Sequence, residues 1–424
     1  MDARKAAREL LLRHSMHPEL LELPAIVRDF RAEMLAGCRA KPSSLGMYPA
    51  YINTASAPAE GKVLVIDAGG TNLRLARLSY KDGTLSIEEM KKRSMPGTGG
   101  AVTADEFFRT LAEELLPLCE EVERACFCFS YPSEVLPDGD GLAVRLTKEL
   151  CVEGLPGMRL CAPLEAELVR LGAPGHRRWR VINDTVSTQL CGMAQNTEPC
   201  DDHIGFILGT GFNMCANVDS ALLLKAPAAA GLGSSCIVNF ESGGFGRFPR
   251  GTADRELDAA SDAPGAQLVE KCISGAYQAP LLRQTLLLAI REGLFSAEAA
   301  ALIPSLSLTA AHVSALAEEN APCVFPALSS ADYALLQELN RLLLERSAML
   351  AAACLAAAVE SRELPAGSRV CICADGTTFA RNPLLRPRTD FWLSELLQPS
   401  GVRAFFYQVS DATLLGTAYA ALLP

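Results

Sequence analysis

The feature that most constrains this chain is a pattern it uses twice: an apolar run, a turn rich in glycine and threonine, and a second apolar run. The first copy is Val63–Ile66, then Asp67-Ala68-Gly69-Gly70-Thr71-Asn72, then Leu73, Leu75, Ala76 and Leu78 in near alternation. The second is Ile204-Gly205-Phe206-Ile207-Leu208, then Gly209-Thr210-Gly211-Phe212-Asn213, then the apolar stretch Met214–Val218. Short apolar runs bounded by glycine-bearing turns read as strands joined in hairpins. Two such hairpins, far apart in sequence, imply a duplicated architecture.

Between them the pattern predicts a helix over Asp105–Val122, a strand over Ala125–Phe129, a helix over Pro163–Leu171 and a strand over Trp179–Ile182. After the second hairpin the chain is mostly helical, with a long helix around Ala331–Ser361. Strands Val370–Cys373 and Val402–Val409 and a helix from about Thr413 follow. The N-terminal segment reads as one or two helices with Leu11, Leu12, Leu20, Leu21, Ile26, Phe30 and Leu35 on their apolar side. Pro42, Pro49 and Pro58 mark an irregular connector. Mixed strands and helices without a long linker give an α/β protein in two lobes, and 424 residues suffice for that.

Charge narrows the partners. The net charge is −10 and no basic run exceeds Lys91-Lys92-Arg93, so neither nucleic acid nor an anionic membrane is an expected partner. The apolar stretch Met349–Val359 falls short of the roughly 18 residues a membrane span needs, and reads as a buried helix. Residues 1–38 lack the apolar core of a signal peptide, so a cytoplasmic location is expected. Cysteine pairs Cys126/Cys128 and Cys371/Cys373 each lie on one face of a strand, as small buried hydrophobes. The 15 cysteines and five histidines show no zinc-ligand spacing, and reduced thiols are expected.

The turns carry the first chemical signal. Glycines at 69 and 70 let the backbone approach an anion, Thr71 and Asn72 add donors, and Asp67 at a strand end is placed to hold Mg²⁺ through water. The same residues equally make an ordinary hairpin turn. Gly209-Thr210-Gly211 has the same two readings. The chain has no G-x-x-x-x-G-K-[ST] loop, no H-R-D or D-F-G, no complete dinucleotide fingerprint and no G-x-S-x-G elbow. Asn183-Asp184 follows a strand and starts a helix; it is either a cap or a carboxylate poised to take a proton. Glu241 lies in a glycine-rich loop, where folding needs no acid. Glu270 is either a sugar-recognising carboxylate or a helix-surface acid paired with Lys271.

Taken in order, these segments resemble the hexokinase family. Its motifs L-G-G-T-N-x-R, F-S-[FY]-P, T-K and N-D-T-V appear as Ala68–Arg74, Phe129-Ser130-Tyr131-Pro132, Thr147-Lys148 and Asn183-Asp184-Thr185-Val186. G-T-G-x-N, N-x-E-x-G-x-F-G, G-x-x-x-E-K and D-G-[ST] appear as Gly209–Asn213, Asn239–Gly246, Gly265–Lys271 and Asp375-Gly376-Thr377. Phe30–Gly37 also looks like a helix of that family. One match carries little; eight in the right order carry the assignment.

The resemblance implies a two-lobed actin-like (ribonuclease H-like) fold with a central cleft. Residues 55–182 and 412–424 would form the small lobe, 1–54 and 183–411 the large one. It implies transfer of the γ-phosphoryl group of Mg·ATP to the 6-hydroxyl of a hexose, glucose first, with Asp184 as general base and Lys148 beside it. Ser130, Thr147, Asn183, Asn213, Glu241 and Glu270 would hold the sugar. Asp67, Gly69, Gly70, Thr71, Asn72, Gly209, Thr210, Gly211, Asp375, Gly376 and Thr377 would hold ATP, with Asp67 toward Mg²⁺. Arg74 is read as structural or close to the phosphates.

Three departures stand out: Ala68 for the family's leucine, Ser242 for its tryptophan, and Ala412-Thr413-Leu414-Leu415-Gly416 for its glycine-rich loop by the adenosine. The last predicts apolar contacts from Leu414 and Leu415 to the nucleoside. It also keeps alive an alternative, a catalytically inactive sugar-binding regulator.

Overall fold

Each hairpin seeds a sheet of its own. The computed structural model describes residues 2–69, 72–146, 150–318 and 323–424. In the first sheet β1 (Gly61–Gly69) pairs antiparallel with β2 (Asn72–Lys81), which pairs antiparallel with β3 (Thr84–Ser94). On the other side of β1 come β4 (Val122–Phe129) and β5 (Arg178–Ile182), both parallel. The second sheet repeats this with β6 (Asp202–Leu208), β7 (Phe212–Asp219), β8 (Ser235–Asn239), β9 (Arg369–Asp375) and β10 (Arg403–Tyr407). The orders are β3-β2-β1-β4-β5 and β8-β7-β6-β9-β10, with a short strand Tyr48–Pro49 added beyond β8. The duplication inferred from two turns therefore extends to whole sheets.

The unbroken apolar run of β1 follows from burial on both faces. Leu64 and Ile66 join Leu75, Phe107, Phe127 and Leu164 in one core, while Val63 and Val65 join Ala76, Leu78, Leu414 and Ala418 in another. Each such side chain contributes about 1.5–3 kcal/mol when fully buried, so neither face tolerates a polar residue. The β3 strand was not legible: its Glu88, Glu89, Lys91, Lys92 and Arg93 suit a sheet edge, which charge protects from unwanted pairing.

Helices α1 (Ala3–Arg13) and α2 (Leu23–Cys38) pack on the second half through Leu10, Leu11, Ile26 and Phe30. Helix α3 (Ala104–Leu115) covers the first sheet together with α4 (Cys161–Arg170). Its end at Leu115 corrects the expected Val122. Pro117 has no N–H to continue the ladder, so the chain tightens into a 3₁₀ turn and Val122 already belongs to β4.

Helix α5 (Asp184–Gln195) leaves β5 and is gripped from two sides. A Cβ on Gly205 of β6 would stand 2.1 Å from Thr185 O, and one on Gly416 of the C-terminal helix 1.7 Å from Ser187 O. Only glycine permits either approach. Of the later helices, α6 (Gly275–Arg291) and α7 (Ser330–Glu360) lie in the second half, and α8 (Ala412–Leu422) returns to pack on β1, β4 and α5. Among the described residues α7 is one helix long and apolar enough to cross a membrane, but 94% of its apolar window is buried inside the molecule. Its Arg346 pairs with buried Asp254 at 2.8 and 2.9 Å. All 15 cysteines are free, and Cys126, Cys128, Cys371 and Cys373 are buried.

Candidate active site

The singled-out residues gather at the carboxyl ends of the parallel strands of the two sheets, where open α/β sheets place their ligands. Asp67 lies two residues before the end of β1, Ser130 follows β4, Asn183 follows β5, Gly209 follows β6 and Asp375 ends β9. The two halves meet at α5, whose first residue is Asp184.

The capping question resolves by division of labour. Asn183 is the N-cap, its Oδ1 accepting from Thr185 N at 2.9 Å. Asp184 is the first helical residue; its Oδ1 also accepts from Thr185 N, at 2.9 Å. The two side chains thus share one N–H of the helix end, and Asn183 occupies the cap position itself.

From Asn183 a chain of side-chain amides runs across the second half. Asn213 Nδ2 donates to Asn183 Oδ1 at 3.5 Å and to Asn239 Oδ1 at 2.8 Å, and Asn239 Nδ2 donates to Glu241 Oε1 at 2.8 Å. Asn213 Oδ1 accepts from Met214 N and from Ser242 N, at 2.8 and 3.1 Å. Every amide is oriented by a neighbour, so the row presents fixed donors and acceptors. Glu241 sits at φ +54°, a left-handed backbone that costs a non-glycine residue about 1–2 kcal/mol. Burial pushes its carboxyl above the usual range; the Asn239 bond opposes this and the Asp184 charge adds to it. Glu270 is not the expected partner of Lys271, which pairs with Asp258 at 2.6 Å. Its Oε2 instead accepts from Phe212 N at 2.9 Å, directly beneath the second turn.

That turn is built from backbone. Gly209 O accepts from Gly275 N at 2.8 Å and Thr378 Oγ1 at 3.0 Å, while Thr210 O accepts from Ala276 N at 3.1 Å. A Cβ on Gly209 would stand 3.3 Å from Gly376 Cα, and Gly376 itself adopts φ +113°. Asp375 Oδ1 accepts from Gly376 N at 2.7 Å, and Thr377 opens a short helix. The turn Gly209–Gly211, the loop Asp375–Thr377 and the start of α6 therefore form one continuous rim.

The first turn is held by charge. Asp67, 4% exposed, accepts through Oδ2 from Arg74 Nε at 2.8 Å and Thr413 Oγ1 at 2.9 Å, with Arg74 Nη2 also in contact. Arg74 reaches on to Asp411 at 2.7 Å. Burial works against the charge of Arg74, but Asp67 and Asp411 outweigh it and hold the guanidinium more firmly protonated than usual. Asp67 Oδ2 is thus already committed, and Arg74 is a structural tie between β1, β2 and α8. Ser130 N donates to Ala68 O at 3.1 Å, placing Ser130 beside the same turn.

Gly70, Thr71, Thr147 and Lys148 lie outside the described residues, as does the side chain of Asn72. Leu414 corrects the expectation of nucleoside contact: it is fully buried in the core under β1, and Leu415 packs by Cys191 and Cys373. The retained Gly416 serves the α5–α8 contact. Two residues were missed. Gln267 stands three residues before Glu270, in a left-handed backbone, with Oε1 buried and unpartnered among the described residues. Ser274, the N-cap position of α6, likewise buries an unpartnered Oγ beside the Gly209 turn. Spacing from Glu270 was the one available signal for Gln267.

Two hexokinase family models match the chain, over residues 11–193 and 203–423. Rat hexokinase-3 is 28% identical over 415 residues, covering 90% of this chain and 44% of the relative. Arabidopsis hexokinase-1 is 31% identical over 326 residues, 71% of this chain and 64% of that one. The chain thus spans less than half the length of the rat relative. A Schistosoma mansoni hexokinase solved with glucose superimposes over 100% of both chains with a TM-score of 0.80 at 21% identity. Another hexokinase crystal structure does so at 0.79, with 23% identity and coverage of 99% and 98%. The fold is the two-lobed actin-like one.

Proposed function

Because the chain belongs to the hexokinase family, we propose that it transfers the γ-phosphoryl group of Mg·ATP to the 6-hydroxyl of a hexose, with glucose the first candidate. The observation that carries this reading is the oriented row Asn183, Asn213, Asn239 and Glu241 ending at Asp184. Neighbouring sugar hydroxyls need such alternating donors and acceptors, and an attacking hydroxyl needs a carboxylate. The lobes are taken as 55–182 with 412–424, and 1–54 with 183–411, on the support of sheet membership and of α8 packing on β1 and β4.

The residues present suit the nucleotide: the turn Gly209-Thr210-Gly211, with two residues lacking a side chain, the buried Ser274 Oγ and the loop Asp375–Thr377 offer donors to a phosphate chain. Asp67 remains the proposed group for Mg²⁺, through water, with Oδ2 already taken by Arg74. Mg·ATP supplies the electrophilic phosphorus and a cation that offsets the charge on its oxygens. The chain supplies position. Asp184 accepts the proton of the 6-hydroxyl, and Lys148 is proposed to offset charge beside it. Asn183, Asn213, Glu241, Glu270, Ser130 and Thr147 orient the ring, and a buried cleft keeps water from competing. The free thiols, including exposed Cys151 and Cys323, favour a reducing compartment such as the cytoplasm.

The test is ADP release with Mg·ATP across glucose, mannose, fructose and glucosamine. Turnover on at least one hexose, abolished by EDTA, is expected. Saturable sugar binding without ADP release would favour the inactive regulator instead.

A further inference from the structure

Helix α2 presents one face to the loop that carries Glu241. Phe30, Glu33, Met34 and Gly37 recur at helical spacing, and all four are buried. Phe30 meets Phe245 edge-on with 4.9 Å between ring centres, and Phe240 stands at 6.3 Å. One turn on, the Glu33 carboxylate divides its oxygens between two segments. Oε2 accepts from Ser44 N at 2.6 Å and from the hydroxyls of Ser43 and Ser44 at 2.9 and 3.2 Å. Oε1 pairs with Nε of the exposed Arg247 at 2.6 Å. Burial works against the charge of Glu33, but the serine bonds and Arg247 outweigh it and hold the carboxyl below its usual range.

The segment after α2 carries this grip to the loop. A Cβ on Gly244 would stand 2.4 Å from Ser44 O, Met47 N donates to Phe240 O at 3.3 Å, and Tyr48 pairs with Asn239. The loop is thus held on both sides of Glu241: at Asn239 and Phe240 before it, at Gly244 and Arg247 after it. Glu241 itself bonds, among the described residues, to Asn239 and Gly244 of its own loop. A left-handed backbone at a non-glycine residue persists where its surroundings over-determine it. Here those surroundings are α2 and residues 43–48, with Glu33 as the one side chain that joins both ends of the grip.

We propose that Glu33 is a positioning residue for sugar binding: through Ser44 and Arg247 it fixes the loop 239–247 and so holds the Glu241 carboxylate against Asn239. The assignment rests on the reading that Glu241 holds the sugar. Glu33 →Gln keeps volume and an acceptor for Ser44 N but removes the charge facing Arg247, and Arg247→Met removes the same pair from the exposed side. In each, the KM for the hexose turned over and its calorimetric dissociation constant should rise about tenfold, the worth of one charge-assisted bond. The kcat and the KM for ATP should stay at their wild-type values. The double variant should be no worse than Glu33→Gln, because both changes remove one interaction. Arg247→Lys, which keeps a cation facing Oε1, should recover most of the affinity. A glutamate that served stability alone would lower the melting temperature without this split. Trypsin reads the grip without sugar or turnover, and cleavage after Arg247 should be faster in Glu33→Gln than in the wild type. Unchanged hexose affinity in both single variants, an equal rise in the KM for ATP, or unchanged cleavage would overturn the assignment. Faster cleavage in a protein whose wild type binds no hexose would instead defeat the sugar reading of Glu241, and the role of Glu33 with it.

Discussion

The two halves share a strand order and a turn, yet they hold their turns by opposite means. The first secures its hairpin with side chains: the charged Asp67, Arg74 and Asp411, with the Thr413 hydroxyl, tie β1 and β2 to α8. The second uses almost none, since carbonyls of Gly209 and Thr210 receive bonds from the start of α6 and from Thr378. A duplicated scaffold therefore need not duplicate its chemistry. The proposed base belongs to neither turn. Asp184 sits on α5, the element that joins the halves, and the comparison makes that joint the most sensitive point of the molecule.

Asp184→Asn tests it and should have the largest effect. Because Asn183 already caps α5, and Asn caps about as well as Asp, the melting temperature should barely move. Turnover should fall at least about 10²-fold, the low end for loss of a general base. Sugar should still bind through Asn213, Glu241 and Glu270. Near wild-type kcat in the folded variant would refute the assignment.

The contrast between the turns is sharpened by removing a charge from one and adding a methyl to the other. Arg74→Met leaves Asp67 buried without its cation. Breaking such a pair costs about 3–5 kcal/mol when fully buried; Arg74 is 23% exposed, so about 2 kcal/mol is expected from urea denaturation. Gly376→Ala should act differently. Its φ of +113° and a Cβ that would meet Leu208 O at 2.4 Å force the loop to move. We expect a loss of stability above about 1 kcal/mol, together with a clear rise in KM for ATP and little change in KM for sugar. An unchanged KM for ATP in the folded variant would mean that this loop does not shape the nucleotide side of the site.

Much of this was readable in the residues, and the reasons are local. Val63–Ile66 and Ile204–Leu208 announce strands because burial on both faces excludes polar residues, and Asn183-Asp184 announces a helix start because capping is a short-range matter. Long-range bonds were not readable. That Glu270 turns from Lys271 to Phe212 N, that Asp67 is taken up by a residue seven positions on and another 346 positions on, and that Leu414 faces a core are all set by how separate elements pack on one another. Gln267 was missed for the same reason: its role comes from facing Gly243 across a loop, where a Cβ would lie 2.5 Å from its Oε1.

The smallest expected effect concerns Glu241, the strained and buried member of the amide row. Its folded carboxyl titrates above the unfolded value of about 4.3. In the window between the two values the native state holds the extra proton, so stability falls as pH rises through it, and the ionised group burdens the fold at neutral pH. Glu241→Gln should therefore raise the melting temperature slightly at pH 7 and leave it unchanged at pH 4. Sugar binding should show the opposite preference. The wild-type KM for sugar should climb as pH drops into that window, where the carboxyl gains a proton and loses an acceptor. In Glu241→Gln it should be several-fold higher at pH 7 and nearly flat with pH. A variant whose KM still rises on acidification would move the titrating group elsewhere in the row, with Glu270 and Asp184 as the remaining carboxylates.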